Sequence, residues 1–278
     1  MRNNLKKGFF KTLTILKDYL PDIVISGGWV PLMYYHYLLS KKAIEPLRTK
    51  DIDIVVPEKI NKKGRTIDEL LKEAGLKPTF KSLHTPPVIS YEGNIEGYEA
   101  EIEFLTHKRG AKEDTVIKVQ KGLHAQSLRF ICVLLENTIV VKIDDFLPTE
   151  GDILRIRVPT PGAFIFNKGL IFTRRTRKVK KAKDLYYIFD ILANCPELRK
   201  QIIDELSDFK NAYPISWSRR FLRNLRDHFL DITSEGVYLV QNQRPDSAYA
   251  RLNDEQFSQY VLGIFQAFIR EFETQYSE

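Results

Sequence analysis

Cysteine is nearly absent from this chain: Cys132 and Cys195 are the only two, and no C-x-x-C occurs. That excludes a disulfide-stapled scaffold and a thiolate zinc site, and it fits a reducing cytoplasm, where the protein is expected. Cys132 stands in Phe130-Ile131-Cys132-Val133-Leu134-Leu135 and reads as a buried small hydrophobe. No apolar run approaches membrane-spanning length, so no membrane is expected as a partner. Lys11 and Lys17 break up the N-terminal apolar stretch, which excludes a signal-type segment. Phe9, Phe10, Leu13, Leu16 and Leu20 instead fall at helical spacing and predict an amphipathic helix. His36, His84, His107 and His124 show neither i, i+4 nor H-x-H spacing, so they are read as structural or exposed and not as metal ligands. Internal repeats and low-complexity tracts are lacking as well.

What is present is ordinary globular material with a basic bias. The 278 residues, 43% of them hydrophobic, suffice for one large domain or two modest ones with sizeable cores. The formal charge is +7. Much of it is concentrated in Arg174-Arg175-Thr176-Arg177-Lys178-Val179-Lys180-Lys181-Ala182-Lys183, with seven cations in ten residues. Such a run suits phosphates, of a nucleotide or of a nucleic-acid backbone, or else forms a solvated loop between helices. Arg219, Arg220, Arg223 and Arg226 fall at helical spacing and describe either a second basic stripe or a solvated amphipathic face.

The chemistry centres on Asp51-Ile52-Asp53-Ile54-Val55-Val56. In a strand, residues i and i+2 share a face, so Asp51 and Asp53 point out of the sheet side by side. The pair is either a solvated strand end or a ligand set for a hard divalent cation such as Mg²⁺. Upstream, Ile23-Val24-Ile25-Ser26-Gly27-Gly28-Trp29 takes a short apolar strand into a glycine pair, and a buried helix is expected over 30–39. Strand, glycines and helix N-terminus together form either a phosphate cradle or a tight turn. No Lys-Ser/Thr follows, so this is not a P-loop, and G-x-G-x-x-G is missing. Downstream, Glu99, Glu101 and Glu103 alternate with smaller or apolar residues on one strand face. A third carboxylate there would complete a metal site and accept a proton from an attacking hydroxyl. Glu103 lies deepest in the apolar run and is the choice, with Glu101 second; Glu99 is read as an exposed edge residue.

Ser26-Gly27-Gly28, Asp51-x-Asp53 and a strand glutamate together resemble the signature of the polymerase-beta-like nucleotidyltransferase superfamily. Val158-Pro159-Thr160-Pro161-Gly162-Ala163-Phe164-Ile165-Phe166-Asn167-Lys168, then Arg174-Arg175 and Lys183-Asp184-Leu185-Tyr186-Tyr187, resemble the helical segments of minimal bacterial nucleotidyltransferases, AbiEii-type toxins among them. The motifs span roughly residues 20–192. One departure is the long stretch between Gly28 and Asp51, which makes residues 40–50 an insertion.

The resemblance implies Mg²⁺ (or Mn²⁺) on Asp51, Asp53 and Glu103, and transfer of a nucleoside monophosphate from an NTP to a hydroxyl. Ser26, Gly27, Gly28, Lys168, Lys183 and Asp184 would bind the nucleotide, though Lys168 also reads as a surface helix lysine and Asp184 as a helix cap. Arg174, Arg175 and Arg177 would meet an RNA acceptor, most plausibly a tRNA 3′ end. A protein side chain, a small molecule and a non-catalytic binding module are the alternatives, and an antitoxin protein is a possible further partner.

The expected architecture is α+β, a nucleotidyltransferase-fold sheet module over 1–158 followed by an all-helical module over 159–278, with the site in the cleft between them. Strands are expected at 23–26, 52–56, 86–91, 98–105, 130–135, 138–143 and 152–158, with a hairpin turn at Glu136-Asn137-Thr138 and a helix from Asn61 to Gly75. Helices are expected at 162–173, 182–193, 196–209, 216–230 and 254–275.

Overall fold

A computed structural model gives the architecture, and it describes residues 2–47, 49–80, 89–107, 110, 115–145, 153–245 and 247–277. The chain divides into two compact units at Thr160/Pro161. It is mixed α and β, as expected, with a central mixed sheet and many helices. His84 and part of the strand expected at 86–91 lie outside the described residues.

The first unit opens with helix α1 (Arg2–Ile15). Phe9, Phe10, Leu13, Leu16 and Leu20 are all buried, as their spacing predicts. Strand β1 (Val24–Ser26) runs into a 3₁₀ turn at Gly27–Trp29 and the short helix α2 (Val30–Met33). The helix expected over 30–39 is therefore brief, and it finishes as a π-turn over Tyr34–Leu38. Strand β2 (Asp51–Val55) follows, then α3 (Ile67–Glu73). Helix α3 begins six residues later than the expected start at Asn61. Thr66 and Glu69 form a reciprocal capping box there, which fixes its first turn. Gly75, with φ +90°, stops the helix and leads into β3 (Leu76–Phe80).

Strands β4 (Ile89–Ile95), β5 (Tyr98–His107), β6 (Thr115–Gln120) and β7 (Leu123–Leu128) come next. The strand expected at 130–135 is instead helix α4 (Ile131–Glu136), entered through Phe130 at φ +67°. The reason is packing: Ile131, Leu134 and Leu135 stand at i, i+3 and i+4, and they close against Val24 and Val55 on the sheet. The expected hairpin at 136–138 is therefore a helix-to-strand junction, leading into β8 (Thr138–Ile143) and then β9 (Leu154–Pro159). The sheet runs β3-β4-β5-β2-β1-β9-β8, with β7 joined to the end of β5 and β6 to β7. The pairs β2/β5, β1/β9 and β5/β7 are parallel and the others antiparallel.

The second unit is helical: α5 (Pro161–Ile171), α6 (Lys178–Asn194), α7 (Arg199–Ala212), α8 (Ile215–His228), α9 (Glu235–Asn242) and α10 (Asp254–Ser277). Residues 161–170 are all buried, so α5 is the axis of the bundle. Its first turn is capped from α7, where Glu205 Oε2 accepts the Gly162 N–H at 2.7 Å. A Cβ at Gly169 would strike the Phe221 ring of α8, and Asn224 Nδ2 donates to the Gly169 carbonyl at 2.8 Å. Helix α9 was not expected, and α6 starts four residues earlier than the expected 182. No helix among the described residues is long and apolar enough to cross a membrane.

Candidate active site

The sheet register gathers the sequence-predicted carboxylates. Asp53 lies across from Ser26 on β1 and from Glu103 on β5, and Asp51 lies across from Glu101. On the far side of β5, Ser90 stands opposite Glu103 and Glu92 opposite Glu101. Neighbouring strands sit about 4.8 Å apart, and residues i and i+2 share a face. Two rows result: Ser26–Asp53–Glu103–Ser90 and Asp51–Glu101–Glu92. The opposite face carries Ile52, Ile54, Ile102 and Phe104, all at most 2% exposed. That alternation explains why the carboxylates face outward: the apolar set is committed to the core, so its neighbours cannot be. Asp51, Asp53, Glu101 and Glu103 are each half-buried. Glu99, two residues outside these rows, is exposed and held by Lys50 at 2.8 Å, which lowers its pKa.

The glycine loop is built around Asp53. Gly27 has φ +66°, and a Cβ there would stand 2.8 Å from the Asp53 carboxyl carbon and 3.0 Å from its Cβ. Only glycine lets the backbone pass the carboxylate this closely. Ser26, Gly27 and Gly28 are all buried. The next residue, Trp29, stacks on Phe9 with ring centres 4.1 Å apart and donates Nε1–H to the Asp51 carbonyl at 3.1 Å. It thereby ties the loop to the start of β2. The composition gave no hint of this role beyond a tryptophan directly after the glycine pair. Gly28, Trp29 and Leu32 also border a small pocket, open to solvent, with Leu5, Pro46 and Leu47. Part of the stretch expected to be an insertion, Glu45 to Leu47 and Thr49, thus lines this pocket beside the glycine loop.

The side chains of this face offer oxygen donors alone, as a hard divalent cation requires. All the donors are carboxylate or hydroxyl oxygens on one sheet face, which is the donor type Mg²⁺ and Mn²⁺ take. The crowding of like charges, with glycine fitted against Asp53, agrees with a bound cation. The side chains are not drawn together into a shell: among the described residues no three His, Cys, Asp or Glu groups converge as metal ligands. The fit is therefore one of donor type and strand register.

The second set of predicted residues lies in the helical unit. Asp184 is the seventh residue of α6, inside the helix and not its cap. It is 3% exposed, with Lys168 Nζ at 2.7 Å on one carboxylate oxygen and Arg175 Nε at 2.7 Å on the other. Burial alone would raise its pKa, but the two cations outweigh that and hold it below the usual carboxylate range. Lys168 is itself buried, 8% exposed, so it is not a surface lysine. Arg175 is engaged with this cluster, whereas Arg174 and Arg177 are exposed and Lys183 is half-buried. The basic run is thus part loop and part helix, since α6 takes it over from Lys178.

His36 is buried and shares a hydrogen bond with the Ile44 carbonyl at 2.9 Å. His228, which the sequence reading passed over, packs edge-on to Phe172 with ring centres 4.8 Å apart. Neither cysteine is in a disulfide, both are buried, and burial raises the Cys132 pKa to about 11.

A family model described as nucleotidyltransferase matches residues 22–208. That span runs from the approach to β1 into α7, so it takes in the whole carboxylate face and the Lys168–Asp184–Arg175 cluster. No curated protein and no solved structure matches the chain significantly.

Proposed function

Since the chain belongs to the nucleotidyltransferase family and is a nucleotidyltransferase enzyme, we propose that it moves a nucleoside monophosphate from an NTP to a hydroxyl of RNA. A tRNA 3′ end is the acceptor suggested by the likeness of its motifs to AbiEii-type toxins. The observation that carries the reading is the register Ser26–Asp53–Glu103, with Asp51 two residues along the same face.

In this reading the acceptor hydroxyl attacks the α-phosphorus, a new P–O bond forms, and the bond to the β-phosphate oxygen breaks to release pyrophosphate. Glu103 takes the proton lost by the hydroxyl. Asp51, Asp53 and Glu103 hold Mg²⁺ or Mn²⁺, which when bound offsets charge on the α-phosphate. Gly27 fixes where Asp53 stands, and the Ser26–Gly28 backbone contributes N–H donors to the β- and γ-phosphates. The net charge of +7 and the exposed Arg174 and Arg177 favour a polyanionic acceptor.

The test is a label-transfer screen: protein, Mg²⁺ and each of four α-phosphate-labelled NTPs are incubated with total RNA or total protein, beside an Asp51→Asn/Asp53→Asn control. Label on a small RNA, lost in the control, is the expected result. Label on protein would replace RNA by a protein side chain as the acceptor.

A further inference from the structure

We propose that the start of α6 and the exposed face of α9 form a stacking and phosphate-binding surface for single-stranded RNA. The inference rests on the RNA reading above and deepens it by assigning the acceptor to a place in the helical unit. Seven cations stand between Arg174 and Lys183, but they divide into groups with different surroundings. Arg175 is turned to Asp184, and Lys181 Nζ is bound to Glu235 of α9 at 2.7 Å. Arg174, Arg177, Lys178 and Lys180 are exposed and join no ion pair with a described carboxylate.

This placement works against helix stability. Cations in a first helical turn face the positive end of the macrodipole, and α6 has no acidic residue there and no side-chain cap to offset them. Lys181 is offset by Glu235 of α9, and the exposed cations beside it have no such ion pair with a described carboxylate. An anion on this surface would reverse the sign of those interactions.

The second feature comes from α9. Tyr238 is 51% exposed, an uncommon setting for so large a ring, and Lys178 Nζ lies 4.8 Å from its centre. Val179, between Lys178 and Lys180, is 65% exposed. An aromatic face interleaved with cations is what an unpaired base and its phosphate require, because every base has a π-face and every linkage one negative charge. A duplex hides its base faces in the stack, so the exposed ring selects a single strand. The cations of this surface lie inside the family match, whereas Tyr238 lies beyond it, so the aromatic half comes from a part of the chain that the shared motifs do not reach.

The experiment is fluorescence anisotropy of the full chain with an end-labelled single-stranded RNA of about 12 nucleotides, within the range one such surface covers. A blunt duplex of the same sequence serves as comparison, and both are titrated over a KCl series. Wild type is expected to bind the single strand more tightly than the duplex. Alanine at Arg174, Arg177, Lys178 and Lys180 together should flatten the slope of log affinity against log salt by about 3, at about 0.7 per phosphate contact. Tyr238→Ala should weaken binding about five-fold or more with the slope unchanged, and Tyr238→Phe should restore it.

All these positions are exposed, so the variants are expected to fold, and thermal melts check that they do. If wild type binds RNA and neither change affects affinity or slope, the surface is elsewhere and this proposal is overturned while the RNA reading stands. A fall in slope with Tyr238→Ala silent, or duplex bound as tightly as single strand, would overturn the stacking assignment. If wild type binds no RNA and label goes to protein, the RNA reading itself has failed, and this surface with it.

Discussion

Asp53 and Asp184 both lie in segments that resemble catalytic motifs, yet the fold treats their charges in opposite ways. Asp53 stands half-buried in a row with Glu103, two residues along the strands from the pair Asp51–Glu101. Asp184 is sealed in a helical core between Lys168 and Arg175. The first arrangement concentrates negative charge on one face, and packing does not ask for that. The second closes on itself, with each oxygen of the carboxylate on a cation. The difference separates a face that, in the proposed reading, meets a cation or proton from outside from a cluster that joins α5, α6 and the segment between them. Resemblance at the level of motifs treats the two alike; their surroundings do not.

The largest effect should come from the sheet face. Asp53→Asn is expected to lower nucleotidyl transfer on the order of 10⁴-fold, the scale of losing a catalytic group. The variant should still fold, because the amide keeps the shape of the carboxylate. Glu103→Gln should follow it closely, and Glu101→Gln should cost far less, since Glu101 faces Asp51 and not Asp53. Steady-state transfer rates for the three variants, with melting curves beside them, check the ranking. If Glu101→Gln proved the more damaging, the row of carboxylates would have been assigned one pair too far along the strands.

The helical cluster should respond in the reverse sense, through stability. Asp184→Ala leaves Lys168 buried without its carboxylate and is expected to cost about 3–5 kcal/mol in urea unfolding. The pH dependence has a definite sign. The pKa of Asp184 is lower in the folded chain than in the unfolded one, so its contribution is complete above the unfolded carboxylate value, about 3.9. It is lost as the pH falls below that toward the lower folded value. Wild type should therefore lose stability in acid more steeply than Asp184→Asn. Equal acid dependence would show that the carboxylate is not held as the geometry implies.

Much of this was legible before any coordinates. Asp51-x-Asp53 and the alternating glutamates of β5 carry a period of two, and the apolar partners between them fix which face is buried. Which glutamate meets which aspartate was not legible, because register is set by pairing across about fifty residues of chain. Ile131–Glu136 misled because a short apolar run reads equally as strand or helix until its neighbours are known. Strand β7 was missed because Ala125 and Ser127 give it little hydrophobic signal; its pairing with β5 and β6 makes it a strand. The buried triad was equally hidden, since Lys168 and Arg175 lie sixteen and nine residues before Asp184. Spacing along the chain cannot show that their side chains meet inside a bundle.

A smaller effect tests how tightly the glycine loop is fitted to the carboxylates. Gly27→Ala places a Cβ at φ +66° and against Asp53, with a backbone cost of about 1–2 kcal/mol before any steric shift. Stability by urea titration should fall by about that amount. Transfer should fall by more than the stability loss accounts for, because Asp53 must move.

The smallest effect belongs to Glu99, on the same strand and the same face as Glu101 and Glu103. Its side chain is 67% exposed and paired only at the surface, with Lys50 Nζ at 2.8 Å. Exposed pairs of this kind are screened by solvent and salt. Glu99→Gln should leave the transfer rate and thermal midpoint unchanged, at low salt and high. The value of the measurement lies in its position, two residues from Glu101 and four from Glu103, with the same chemistry and the same face. If Glu99→Gln reduced transfer as Glu103→Gln does, strand register could not be what selects the working carboxylates. The acidic face would then act as a whole through its field, and Asp53 would lose its special place in the row.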